Sequence, residues 1–184
     1  MRVGVDIDGV LNDILSICVE GLNDYLEVTL TTEDMTNYNF AKSYQVPQEK
    51  VVEFFIREET NILKNAVPQQ NAAETLSKMK KQHQIILVTA RPESQRKVTE
   101  EWLEKHEIAY DKLIMVGSSD KREACLKERI DVLIEDSLDN ALMVNGQGIP
   151  VMLMNAPHNQ GKLPQGITRV SCWLEAEQLL ASHC

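Results

Sequence analysis

Short, unbroken apolar runs, each closed by polar residues, constrain this chain more than any other feature. They lie at Val3–Ile7, Ile85–Val88, Leu113–Val116, Val132–Ile134 and Val151–Met154. A strand with one wet face alternates apolar and polar residues. Runs without that alternation suit strands covered on both faces, as in a parallel sheet. Helix-like segments separate them. Pro92–His106 opens with a proline suited to a first helical turn and carries Val98 and Trp102 four apart. Lys121–Arg129 and Ser137–Val144 also read as helices. Thr168–Ser171 reads as a last short strand, and Trp173–Ala181 as a closing helix with Leu174, Leu179 and Leu180 as its apolar contacts. Strands alternating with helices predict an α/β fold joined by right-handed crossovers.

One stretch breaks the alternation. Leu11, Leu15, Cys18, Leu22, Tyr25 and Leu26 fall at helical spacing, and Gln48–Glu59 is a second helix candidate entered after Pro47. No strand-like run follows Val10 until Ile85. The reading is a small helical cap at 14–70, inserted after the first strand into a core made of 1–13 and 71–184. All three phenylalanines, Phe40, Phe54 and Phe55, fall in this stretch, with Tyr25, Tyr38 and Tyr44. Most of these rings are expected to be the cap's own core, with one or two facing the crevice, where a ring can stack on a nucleobase.

Composition narrows the partners. A formal net charge of −9 argues against nucleic-acid polymers and anionic membranes. No apolar run reaches the length of a membrane span and no basic leader precedes one, so a cytoplasmic protein is expected. Cys18, Cys125, Cys172 and Cys184 form no C-x-x-C pair. They are read as buried reduced thiols rather than a zinc site.

Chemistry collects where the runs end. The first closes in Asp6-Ile7-Asp8-Gly9, the second in Thr89-Ala90-Arg91, and the fourth in Glu135-Asp136-Ser137; Ser118 to Lys121 follow the third. In an open parallel sheet those ends share one edge, where ligands bind. Any one of these residues alone suits a helix cap, but their recurrence at several strand ends points to a site. The set fits a phosphate held beside Mg²⁺. Asp6 and Asp136 offer hard carboxylate ligands, Thr89 and nearby backbone N–H groups such as that of Ala90 can hold phosphate oxygens, and Lys121 can offset the remaining charge.

At these residues the chain resembles the haloacid dehalogenase-like (HAD) superfamily of phosphatases. DIDGV at 6–10, VTAR at 88–91, Lys121 and IEDS at 134–137 match its four motifs in order. The resemblance implies a Rossmann-like core, an aspartyl-phosphate on Asp6, and a Mg²⁺ site made by Asp6, the backbone carbonyl of Asp8, and Asp136. A second aspartate at the position of Asp8 marks phosphate chemistry in that superfamily. DIDGVL, an insertion of this size and then ILVTARP are similar to the cytosolic 5′(3′)-deoxyribonucleotidase group and related nucleotidases.

The activity these readings imply is Mg²⁺-dependent hydrolysis of a small phosphorylated metabolite, a nucleoside monophosphate foremost. Asp8 is the expected acid and base, and needs surroundings that let it carry a proton. Sugar-phosphate hydrolysis is the alternative, and a non-catalytic phosphate or metal binder a more distant one. Glu135 is either a supporting residue or a water-mediated one. Arg91 and His158 are left open between substrate contact and ordinary surface.

Overall fold

A computed structural model of the chain describes residues 1–37 and 39–182, so Tyr38 of the aromatic group and Cys184 lie outside the described residues. In chain order the elements are β1 (Arg2–Val5), β2 (Asn12–Asp13), α1 (Ile14–Leu26), α2 (Phe40–Ser43), α3 (Gln48–Asn65), β3 (Val67–Pro68), α4 (Ala72–Met79) and β4 (Gln84–Thr89). They continue with α5 (Arg96–Lys105), β5 (Lys112–Met115), α6 (Arg122–Lys127), β6 (Val132–Glu135), α7 (Leu138–Asn145), β7 (Val151–Met154), β8 (Ile167–Val170) and α8 (Trp173–Ser182).

Six strands form one sheet in the order β5-β4-β1-β6-β7-β8, and every neighbouring pair is parallel. The unbroken apolar runs are explained by what covers them. Val3, Val5, Ile85, Leu87, Val132 and Ile134 face one apolar layer, with Leu76 of α4, Trp102 of α5 and Trp173 of α8. The alternate residues Ile86, Val88, Leu133, Val151 and Leu153 face the other layer, with Cys125 of α6 and Ala141 and Val144 of α7. Buried indole N–H groups tie the first layer to the backbone: Trp102 donates to the Ala66 carbonyl (2.8 Å) and Trp173 to that of Val10 (2.9 Å).

The parallel sheet and its flanking helices are as expected, with corrections of detail: Pro92 lies ahead of α5, which starts only at Arg96. Leu174 is exposed on the closing helix; Trp173, Ala176 and Leu180 carry its buried face. Cys18 and Cys125 are buried free thiols, but Cys172 is exposed, because it precedes α8 while Trp173 turns inward. No helix among the described residues is long and apolar enough to cross a membrane.

The residues between β1 and α4 are helical, as the spacing predicts, and have an apolar cluster of their own: Cys18, Val19, Leu22, Met35, Tyr44, Phe54 and Ile62. Leu11, whose spacing fits the first helix, precedes it; α1 starts at Ile14 after Asp13 caps it by accepting from the Ser16 N–H. Gly21 lets α1 and α3 approach closely, since a Cβ there would stand 2.8 Å from the Phe54 ring. The path into and out of these helices is stitched by the short antiparallel pair β2–β3.

Candidate active site

Chain order in the sheet runs from β1 outward through β4 to β5, then returns to β6 on the other flank of β1. Such a reversal opens a crevice at the C-terminal strand ends. Asp6 directly follows β1, and Glu135 and Asp136 lie at the end of β6 beside it. The backbone then turns sharply: the Ile7 carbonyl accepts from the N–H groups of Val10, Leu11 and Asn12. Gly9 permits the turn, with φ +81° and a backbone so near Asp136 that a Cβ would stand 2.1 Å from its Oδ2.

The buried Lys121 ammonium joins the two strand ends. Its Nζ lies 2.7 Å from Asp6 Oδ1 and 2.7 Å from Glu135 Oε2. Burial alone would strip the proton from this lysine, but the two carboxylates outweigh it and hold its pKa above the ordinary lysine range. The other Glu135 oxygen accepts from the N–H groups of Asp136 (3.1 Å) and Ser137 (3.0 Å). Glu135 is therefore occupied in holding Lys121 and the start of the following turn.

Asp6 is under electrostatic pressure. Burial first, and then the charge of Glu135, push its carboxyl up to about 8, with Lys121 opposing. Burial likewise raises Glu135. Four carboxylates, those of Asp6, Asp8, Glu135 and Asp136, meet two cations in this network, Lys121 and Arg91. With all four ionised, two negative charges are left over, and their mutual repulsion adds to burial in raising Asp6. Oxygen atoms of Asp6, Glu135 and Asp136 lie within 4.8 Å of one another. An all-oxygen donor set with this excess charge fits a hard divalent cation.

Thr89 is fully buried at the end of β4, where its Oγ1 accepts from the Arg91 N–H (3.2 Å); Ala90 is exposed between them. Asp8 points to Arg91, which binds both of its carboxylate oxygens. Burial would raise Asp8, but the Arg91 charge and hydrogen bonds, with help from Asn12, outweigh it and lower the pKa. The balance that the sequence left open is thus tipped toward ionised Asp8. Arg91 and His158 are not ordinary surface residues. The Arg91 side chain is 3% exposed, and that of His158, 4% exposed, puts Nε2 3.2 Å from Asp136 Oδ2. Asn159 secures that corner: its Nδ2 donates to the carbonyls of Asp136 and Met154, each at 2.7 Å. The sequence signal for Arg91 was its place just after a strand; for His158 and Asn159 there was only membership of the loop after the fifth apolar run, and for Asn12 there was none.

A cavity of about 410 Å³ opens over this edge. Asp8 and Asp136 line its floor, and Phe40 and Phe55 of the helical insertion line its wall, with Ser16 and His158 nearby. The other three described rings belong to the insertion itself, Tyr25 packing on Phe54 with centroids 5.7 Å apart. Phe54 is buried in the insertion, and the buried Tyr44 donates its hydroxyl to the Val19 carbonyl (3.1 Å).

Fold and site together define a HAD-like hydrolase. The likeness to solved structures shows the same fold: a HAD family hydrolase from Deinococcus radiodurans R1, with bound phosphate and sodium, superposes with a TM-score of 0.73 at 17% identity, over 98% of this chain and 95% of that one. The family is narrower. Residues 1–183 match the model of the 5′ nucleotidase, deoxy (pyrimidine), cytosolic type C protein family, and the chain belongs to it. "Putative nucleotidase YqfW" of Bacillus subtilis is 36% identical over 184 residues, covering 100% of this chain and 95% of that protein. A nucleotidase of Clostridium acetobutylicum is 29% identical over 178 residues, 95% of this chain and 91% of that one. The chain is accordingly an enzyme of the nucleotidase type, and the non-catalytic reading falls away.

Proposed function

We propose that this protein hydrolyses nucleoside monophosphates, deoxy forms included, through an aspartyl-phosphate on Asp6 with Mg²⁺ as cofactor. The observation that carries the proposal is the Lys121 ammonium shared between Asp6 and Glu135, beside Asp136, which itself lines a cavity walled by two rings. In this reading, residues 14–70 are a cap that selects the substrate and residues 1–13 with 71–184 are the catalytic core. The β2–β3 pair, which joins the two ends of the helical stretch, supports that division.

Asp6, Asp136 and the backbone carbonyl of Asp8 would hold the ion. When bound, Mg²⁺ supplies positive charge that offsets the charge of the phosphoryl group. The rest follows from the chain's own residues. A carboxylate oxygen of Asp6 attacks phosphorus, and the bond from phosphorus to the ester oxygen breaks. Lys121 offsets charge beside the nucleophile. Thr89 and the Ala90 N–H bind phosphoryl oxygens. Asp8 gives a proton to the departing oxygen, then takes one from the water that attacks the aspartyl-phosphate, releasing phosphate and restoring Asp6. Asp8 is ionised in the ligand-free protein, the form required in the second step; the arriving phosphoryl charge favours the protonated form required in the first.

Mg²⁺ at a hundredfold excess over its Kd is expected to raise the Tm by about 5–10 °C, by binding only the folded state. D136N should abolish that shift and the activity together. Ca²⁺ should raise the Tm but support turnover poorly, because its longer, looser coordination misaligns the phosphoryl group. Thermal melts with each ion after chelation check this; full activity in the chelated protein contradicts the metal site.

The substrate reading is tested on the rings. Phe40 and Phe55, with centroids 5.6 Å apart, face the cavity, so F40L and F55L should raise KM for a nucleoside monophosphate about ten- to a hundredfold, the worth of one stacked base. KM for a small ester without a base should barely change. F54L and Y44L should lower the Tm and leave the substrate ratio alone. If F40L and F55L leave the ratio unchanged, the cavity wall does not read a base and the sugar-phosphate alternative gains.

A further inference from the structure

None of the steps above uses Arg91, yet no other arginine side chain among the described residues is so fully enclosed by named partners near the nucleophile. Its Nε donates to Asp8 Oδ2 (2.8 Å) and its Nη2 to Asp8 Oδ1 (2.6 Å), a fork that meets both carboxylate oxygens. Its Nη1 donates to Thr99 Oγ1 (3.0 Å) on α5, and that hydroxyl donates to the Gln95 carbonyl (2.9 Å). The Arg91 backbone is held as well: its N–H donates to Thr89 Oγ1 and its carbonyl accepts from the Gly117 N–H (3.2 Å). On the far side of Asp8, Asn12 Nδ2 donates to Oδ1 (3.1 Å).

From this we infer that Arg91 is the positioning residue for Asp8: its guanidinium, braced by Thr99, fixes where the acid–base carboxylate stands over the cavity. The inference rests on the acid–base reading of Asp8 given above. Two observations separate it from direct phosphate binding. The Asp8 side chain is 28% exposed and lines the cavity, whereas that of Arg91 is 3% exposed and stands behind it. The donors that face the site already carry Asp8. A carboxylate has two rotatable bonds, and a misplacement of about 1 Å costs about a hundredfold in rate. A fork fixes both oxygens, while a lysine offers one point charge.

The test compares two leaving groups. The sugar hydroxyl of deoxyuridine 5′-monophosphate needs a proton as it departs; the phenolate of 4-nitrophenyl phosphate does not. R91K is expected to lower kcat for the nucleotide about ten- to a hundredfold, with KM within about threefold, because general-acid catalysis is worth about 10²–10⁴ in rate. For the aryl ester the first step should survive and the second, which needs Asp8 as base, should not. The result is a burst of one phenolate per enzyme followed by slow turnover. In a D8N background, R91K should cost nothing further, since its effect runs through Asp8. T99V, which keeps the charge pair and removes the brace, should lower kcat severalfold in the same leaving-group-dependent way; it decides the matter if R91K does not fold by circular dichroism.

Wild-type kcat in folded R91K overturns the inference, as does a loss confined to KM, which marks a phosphate ligand. Equal, additive losses in the D8N background mark a merely structural residue and overturn it too. If D8N itself turns over at the wild-type rate, the acid–base reading falls and takes this inference with it. If D8N is impaired while R91K and T99V are not, only the inference falls. The aryl-ester arm holds whichever base or sugar the enzyme prefers.

Discussion

Replacing Asp6 with asparagine is expected to lower turnover by about 10⁴- to 10⁶-fold, the range seen when an enzyme loses its nucleophile but keeps its binding site. The substitution is nearly isosteric, and the position is 6% exposed just beyond the central strand, so the fold should persist. Stability sharpens the test. The Asp6 pKa is raised in the folded state from 3.8 to about 8, by burial and then by Glu135, so ionised Asp6 penalises folding. For an acid raised in this way the penalty is absent below the unfolded value and grows as pH climbs from there to the folded value. Without metal, D6N should therefore melt no lower than wild type at pH 8, and its advantage should shrink toward pH 4. Melts in chelator at both pH values, with hydrolysis assays alongside, check the pair of outcomes. A folded variant that turns over near the wild-type rate removes Asp6 from the mechanism.

Lys121 should behave in the opposite sense. K121M keeps the bulk of the side chain but leaves two buried carboxylates, Asp6 and Glu135, without the ammonium they share. Breaking a buried pair from one side costs about 3–5 kcal/mol, a fall in Tm on the order of 10 °C for a chain of this size. Turnover should drop with it, by about a hundred- to a thousandfold, as for other lost electrostatic stabilisers. Adding E135Q removes one stranded charge and should restore part of the Tm without restoring the rate. The two readouts then separate holding the site together from acting in it. A K121M protein as stable as wild type contradicts Lys121 as the counter-ion of this cluster.

Much of this was legible because burial on both sheet faces writes an unmistakable pattern. The strands carrying Val5, Val88 and Ile134 needed no alternation to be found, and the motif residues sit at their ends. The β2–β3 pair was not legible: two residues a side, including Asn12 and Pro68, carry no periodic signal, and backbone bonds such as that from the Gln69 N–H to the Leu11 carbonyl hold it. Arg91 was visible as a charge after a strand, but its partner lies 83 residues away, and only the pairing of β1 with β4 brings them together. The rings of Phe54 and Phe55 were indistinguishable in sequence. Successive residues on a helix point about 100° apart, so α3 turns one into the insertion's core and the other to the cavity. Cys172 carries no mark of being exposed; the buried indole beside it decides that.

The most direct measurement is rapid acid quench of the enzyme during turnover of 4-nitrophenyl phosphate, followed by pepsin digestion at acid pH and mass spectrometry of the peptides, fragmented to locate any added phosphoryl group. One phosphoryl group is expected on Asp6, formed with the first phenolate released and absent from D6N. Phenolate release in the first turnover with Asp6 unmodified, or a phosphoryl group on a different residue, would contradict Asp6 as the nucleophile.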